Sequence, residues 1–280
     1  MVVIERRLAQ LFSYKLVFFA NADSLDRIVK RLKPTEMARL LHTNKGLDGS
    51  RFVVKRERTF TVCNDLRQPL ETLWKSFAPY NRAEIRKAER LVERVRITRN
   101  EPAGLDDFIA VYNDFARLKD GVWPISARLL NRYDGFADRL VLYLDEQPMV
   151  VNLVLRDAET GRVRGLYNAS RRLHADEPKK ARVLGNLNRL LHWHNMRLYK
   201  EEGFDTYDWG GISEDRSDGR AKFKMSFGGN IAEEYTYLCA GWPRLGLLAQ
   251  RLFELASARG RRARRLSLRA AVRPTSRESQ

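Results

Sequence analysis

Residues 206–230 read TYDWGGISEDRSDGRAKFKMSFGGN. The stretch holds two Gly-Gly pairs, a Tyr-Asp-Trp cluster and a lysine in FKMSFGG. Glycine is costly to order, so a chain keeps it where the backbone turns sharply or something must approach closely. The segment 204–209 leads in as a strand and ends in Asp208-Trp209-Gly210-Gly211. A polar loop follows, then Phe223-Lys224 and Phe227-Gly228-Gly229. The plainer reading is two glycine-rich turns around a buried aromatic pair. The functional reading is a lysine held by its flanking rings at a cleft. A fixed cation there would meet the oxyanion of an acyl transfer. Asp208 would orient the attacking amine or take its proton.

Working upstream, a long helix is expected from about Arg182 to Glu202, stopped by Gly203. Before it come strands at 139–145, 149–157 and 162–169, with turns at 146–148 and 158–161. The stretch 105–118 carries apolar residues at helical spacing, and Ser126 caps a second helix over 126–133. With strands at 95–99 and 233–238 and a short helix over 218–227, the order is β-α-α-β-β-β-α-β-α-β. This predicts an α+β fold, a mostly antiparallel mixed sheet with one late β-α-β unit. The first part is less regular: a strand at 13–21, short helices at 23–32 and 34–42, an extended segment at 51–63, and a helix over 70–88 that Pro79 divides.

The β-α-β unit brings a helix N-terminus beside a strand end, a ready anion site. Lys179, Lys180, Arg182, Gly185 and Asn186 cluster there. Cations are unfavourable at that end of a helix dipole, so a bound phosphate would explain them. The alternative is a basic helix start facing solvent. Arg82, Arg86 and Arg90 recur at four-residue spacing, giving a solvated charged face or one that contacts an anionic substrate. His192 and His194 point about 200° apart on a helix and cannot share a metal. No metal-ligand spacing, nucleophile elbow, Walker A loop or dinucleotide fingerprint occurs.

The chain carries 52 Lys+Arg against 35 Asp+Glu, a net charge of +17, which favours polyanionic partners. Nine arginines against two glutamates fall in residues 251–280. That tail reads as a partly disordered basic extension, or as a tether to RNA or an anionic membrane surface. Two distant cysteines fit a reducing compartment. No stretch approaches the length of a membrane span, and the expected location is cytoplasmic, with a peripheral place at the inner membrane face left open.

The segments 82–90 (RAEIRKAER), 188–203 (NRLLHWHNMRLYKEEG), Tyr207-Asp208-Trp209-Gly210-Gly211 and Phe223-Lys224-Met225-Ser226-Phe227-Gly228-Gly229 together resemble the Fem-type aminoacyltransferases of the GNAT superfamily. The resemblance covers roughly residues 80–240. It implies a GNAT fold over residues 81–250, with a reduced GNAT-like N-terminal α/β subdomain over 1–80. It implies transfer of an acyl group to an amine, with no permanently bound cofactor. The co-substrate would be an acyl-CoA-type thioester or an aminoacyl-tRNA. The acceptor would be a peptidoglycan, glycan or polysaccharide precursor of the cell envelope. By motif match, Lys224 lies near the reacting centre. Arg182-x-x-Gly185-x-Leu187 resembles the pyrophosphate loop of acetyl-CoA-dependent acetyltransferases, except that Leu187 stands where a small residue is usual. Tyr167 and Asn168 would line the donor cleft where GNAT strands splay. Arg86, Trp209, Gly210, Gly211 and Phe223 are the remaining candidates for substrate contact. The other reading is a basic binding module without catalysis.

Overall fold

The computed structural model describes residues 1–8, 12–20, 22–43, 47, 50–119 and 121–243. The arginine-rich tail at 251–280 lies outside the described residues. Ten strands form one sheet in the order β1-β2-β3-β10-β4-β9-β8-β7-β6-β5. They are β1 Val2–Leu8, β2 Phe12–Phe18, β3 Glu36–Thr43, β4 Val53–Asp65, β5 Val95–Arg99, β6 Ala137–Leu144, β7 Gln147–Asp157, β8 Arg162–Ser170, β9 Thr206–Ile212 and β10 Asn230–Ala240. The α-helices are α1 Ala22–Lys30, α2 Leu70–Ser76, α3 Pro79–Glu89, α4 Gly104–Leu118, α5 Ala127–Leu130, α6 Pro178–Glu201 and α7 Gly219–Met225.

Two neighbours run parallel, β2 with β3 and β8 with β9; every other pairing is antiparallel. Each parallel pair is spanned by one crossover helix, α1 or α6. The sheet order thus has an approximate internal symmetry. On one side stand β1, β2 and β3; on the other stand β7, β8 and β9. Between them β4, which follows β3 in the chain, pairs with β9. β10, which follows β9, pairs with β3. Each half gives its last strand to the other, and β4 and β10 join along ten registered positions. The boundary expected near residue 80 falls inside α3, and the sheet runs across without a break.

Strand alternation sorts side chains to two faces. One face packs against α2, α3 and α6 through Val150, Val154, Val163, Tyr207 and Trp209. The opposite face meets α4 through Val151, Leu153 and Leu155, and the same cluster includes Val2, Ile4, Leu16 and Phe18 from β1 and β2. The sheet therefore curls so that its first strands close over the α4 side.

Local signals explain most elements. Pro79 sits in the first turn of α3, where its missing N–H costs nothing. The Ser126 side chain caps α5 by accepting from the Leu129 N–H. Gly203, at φ 83, ends the longest helix among the described residues. The helix expected at 34–42 is a correction: that segment is β3. Its Met, Ala and Leu are good helix formers, but Ala38 and Leu40 are needed in the core against α1, and pairing with β2 and β10 overrides propensity.

Candidate active site at the parting of two parallel strands

β8 and β9 pair only from Arg162–Thr206 to Arg164–Asp208. Both strands run on beyond that point, β8 to Ser170 and β9 to Ile212, without further pairing to each other. The parting begins at two glycines. Gly210 has φ +78, and a Cβ there would stand 3.0 Å from the Gly165 carbonyl oxygen. A slip in the β7–β8 register at the same level helps β8 to turn away.

Lys224 holds the splayed end of β9. Its ammonium donates to the Gly210 oxygen at 3.0 Å and the Gly211 oxygen at 2.8 Å. Burial and then the Arg164 charge push this amine down to about 8. The same helix end carries Phe223, half-buried against Trp209 and Phe227. Lys224, Gly210, Gly211 and Phe223 thus come together as one group beside the splay.

Two candidates from the motif occupy different places. Trp209 is 2 % exposed, and its indole N–H donates to Asn64 Oδ1 at 2.7 Å. It packs on Phe227 at 4.4 Å and His192 at 4.6 Å between ring centroids. It belongs to the core under α6 and reaches no substrate. Asp208 is wholly buried on the opposite face. Its carboxylate accepts from Arg162, from Arg164 at 2.5 Å, from the Thr61 hydroxyl and from the Gly210 N–H at 2.8 Å. Burial alone would raise its pKa, but the Arg164 and Arg162 guanidiniums outweigh this and hold it below the usual carboxylate range. Such a group neither meets an amine nor takes its proton, so the expectation of Asp208 as a base is corrected.

Glu234 on β10 completes this cluster, bonding Arg162 and, at 2.9 Å, Arg164; His42 Nδ1 lies 3.3 Å from Glu234. Two cations and two carboxylates, all buried, tie β8 and β9 to the exchanged strand β10. Sequence reasoning missed Arg162, Arg164 and Glu234. The signal available was two arginines two apart on a strand, which places both on one face.

The second Gly-Gly pair answers to packing. At Gly228 (φ +69) a Cβ would meet Ser76 Oγ at 2.4 Å, and at Gly229 (φ +90) it would meet the Cys63 oxygen at 2.7 Å. That turn is pressed against α2 and β4.

A cleft of about 340 Å³ opens at the N-terminus of α6, lined by Glu84, Arg172, Arg182, Gly185, Asn186 and Arg189, among others. Arg182, Gly185 and Asn186 come together there as expected from the sequence, whereas Lys180, between the lining residues Pro178 and Ala181, stands exposed and does not line it. Arg172 and Arg189 were not foreseen. Gly185 leaves room for both guanidiniums, with Arg189 Nη1 3.4 Å and Arg172 Cζ 3.8 Å from the place of its absent Cβ. Arg189 is pinned by Asn81 Oδ1 at 2.7 Å, the Gly185 oxygen at 3.0 Å and Glu84 at 3.0 Å. Asn186 is 7 % exposed, and its Oδ1 finds no partner among the described residues. Asn168 Oδ1, on splayed β8, is likewise buried without one. Tyr167 turns to the α4 face and packs edge-on against Tyr112 at 5.3 Å. Arg86 is exposed on α3, stacked over Trp74 at 5.6 Å.

No curated protein matches this sequence. Among solved structures, FemX superposes with a TM-score of 0.60 at 14% identity, covering 88% of this chain and 85% of its own. The C-terminal domain of a putative lysylphosphatidylglycerol synthetase from Agrobacterium fabrum gives 0.58 at 12% identity, covering 89% and 83%. L-PGS from Bacillus licheniformis gives 0.51 at 14% identity, covering 89% and 85%. At these identities the likeness is one of fold. The sequence itself matches the acetyltransferase (GNAT) domain family over residues 80–225, more than half of the chain. With its splayed parallel strands and Fem-like sheet, this chain belongs to the GNAT acyltransferase family.

Proposed function

We propose that this protein moves an acyl group from a phosphate-bearing, CoA-type thioester to an amine on a cell-envelope or polysaccharide precursor. One observation carries the reading: a basic cleft at the start of α6, the crossover helix that joins the two parted strands. Arg182, Arg172 and the free N–H groups of the helix would hold the donor's phosphates. The unpaired acceptors of Asn186 and Asn168 suit the amide N–H groups of a pantetheine arm.

In this reading the acceptor amine attacks the thioester carbonyl directly. A C–N bond forms, and the carbonyl oxygen takes up negative charge. The Lys224 ammonium, fixed on two carbonyls of β9, stabilises that charge. Collapse breaks the C–S bond. The amine's surplus proton passes to the leaving thiolate or to water, with no part for Asp208.

Acetyl-CoA at a hundredfold excess over its Kd should stabilise the fold by about 2.7 kcal/mol, and Arg182→Ala should shrink the shift. No shift at any concentration would remove the thioester reading. Lys224→Met should lower turnover by about 10²–10³ with the fold retained. In the wild type, turnover should fall as pH rises through about 8, where the amine loses its proton. A flat profile up to pH 10.5, where an ordinary lysine titrates, would deny Lys224 a charged role.

A second reading, transfer from aminoacyl-tRNA, draws on the exposed Arg86 and Lys87 of α3 and Arg90 at its C-terminal cap; Glu84 of the same helix lines the cleft. The lysylphosphatidylglycerol synthetases share the fold. RNA binding that weakens steeply with salt, and less steeply after charge removal at Arg86 and Arg90, would favour it.

A further inference from the structure

Tyr80 is the feature beside the cleft that neither packing nor the acyl-transfer reading uses. It lies in the first turn of α3 and is 51% exposed, although its neighbours are fixed. The Ala78 N–H just before it donates to the Ser226 oxygen at 2.8 Å. The Asn81 amide just after it donates to the same oxygen at 2.9 Å and to Ser226 Oγ at 2.7 Å. The backbone that carries the ring is therefore anchored to the end of α7, next to Phe223 and Lys224.

The ring also has a cation set against it. Arg189 Cζ lies 5.9 Å from the Tyr80 centroid and 5.3 Å from that of Phe223. Its three polar contacts, to Asn81, Glu84 and the Gly185 oxygen, prevent it from swinging away. Burial lowers the Arg189 pKa, yet a guanidinium stays charged at neutral pH. Tyr80 and Glu84 are four residues apart and share a face of α3, and Glu84 and Arg189 both line the cleft. A solvent-facing aromatic ring backed by a fixed guanidinium that itself lines a basic cleft is a way proteins hold an unpaired base.

Resting on the donor cleft proposed above, we infer that Tyr80 stacks the adenine of the donor's adenosine, with Arg189 as the fixed backing. Both donor classes carry that group. In a CoA thioester it lies at the far end from the acyl group. In an aminoacyl-tRNA it is the terminal nucleoside that bears the aminoacyl ester.

The experiment is a calorimetric titration of the full-length wild type and its Tyr80→Ala and Tyr80→Trp variants. The probes are CoA, 4′-phosphopantetheine and a trinucleotide of sequence CCA. Stacking on an aromatic residue is typically lost on alanine substitution with a weakening of about tenfold. Tyr80→Ala should weaken CoA by that factor and leave 4′-phosphopantetheine unchanged, and Tyr80→Trp should restore CoA. The same pattern on CCA alone would support the stacking and identify the donor as RNA. Equal CoA and CCA affinities in wild type and Tyr80→Ala would overturn the inference while leaving the donor cleft standing. Equal weakening of CoA and 4′-phosphopantetheine would also overturn it, since the ring would then act only on cleft shape. If neither CoA nor CCA binds the wild type, the donor cleft fails and the inference fails with it.

Discussion

The molecule builds its parallel β-α-β unit twice, and only one copy opens. In the first, β2 and β3 stay in register from Ser13–Glu36 to Phe18–Leu41, over nearly the whole of both strands. Their crossover helix, α1, has 9 residues, and its inward side meets the sheet through Leu25 and Val29. In the second, β8 and β9 pair at three positions and then part. Their crossover helix, α6, has 24 residues, enough to carry its N-terminus well beyond the paired region. Gly165 and Gly210 face each other where the parting starts, and Lys224 ties down the freed end. The connectivity that two halves share gives a scaffold; a site arises where strands that could have stayed paired are held apart.

The charges at the two parallel pairs differ in the same sense. Between β2 and β3, Lys15 and Glu36 make a 3.5 Å ion pair with 25% and 15% of their side chains accessible. Between β8 and β9, Asp208 is buried against two arginines. An accessible pair contributes little, whereas removing one partner of a buried one strands the other charges. Asp208→Ala should therefore cost about 3–5 kcal/mol in urea unfolding, and Glu36→Ala about 1 kcal/mol or less. Similar losses from the two substitutions would mean that the buried cluster does not lock the second unit. In Asp208→Asn the fall of turnover with rising pH should persist but move to lower pH, because the Asp208 charge supports the Lys224 ammonium while the carboxylate is not the base.

How far this contrast was legible in the sequence depends on range. The turn at Gly203, the cap at Ser126 and the break at Pro79 are local, and each shows in a few residues. The cluster of Arg182, Gly185 and Asn186 was legible because helix start and basic residues coincide. What was hidden is long-range. The exchange of β4 and β10 leaves no trace in the local pattern of either strand. β3 looked helical because only its partners make it a strand. Asp208 and Trp209 are adjacent in one motif, yet the period of a strand sends them to opposite faces, one into an ion cluster and the other into an aromatic core. Taken locally, the motif offers either reactive groups or glycine-rich turns around buried rings. Alternation makes it two structural anchors followed by the glycines that form the site.

Two glycines sharpen the point at smaller scale. Gly203 and Gly210 have similar backbone angles, φ 83 and φ 78. Nothing lies within 4 Å of a Cβ at Gly203, whereas one at Gly210 stands 3.0 Å from the Gly165 oxygen. Alanine at either position carries the left-handed strain of about 1–2 kcal/mol. Gly210→Ala should add a backbone displacement across the parting strands, and with it a changed donor Kd that Gly203→Ala lacks. If the two variants bind CoA equally, the contact at Gly165 does not set the width of the splay.

The effect most confined in pH concerns His192, under the splay on the α6 side. It is 3 % exposed, with Nδ1 3.0 Å from the Tyr207 hydroxyl, and burial followed by the Lys224 and Arg189 charges pushes its imidazole down to about 3. The unfolded chain titrates this group near 6.5. Above that value both states are neutral, and the group contributes no pH dependence. As pH falls from 6.5 towards 3, the unfolded state binds a proton that the native state refuses, so stability is lost. One pH unit below the unfolded value, the loss is about 1.4 kcal/mol. Subtracting the unfolding free energies of His192→Gln from those of the wild type, pH by pH, cancels the carboxylates common to both. The difference should be level above pH 6.5 and fall by one proton's slope below it. A level difference throughout would mean that the imidazole under the splay accepts a proton in the native state. A charged His192 beside Lys224 would then oppose the very ammonium on which the proposed chemistry depends.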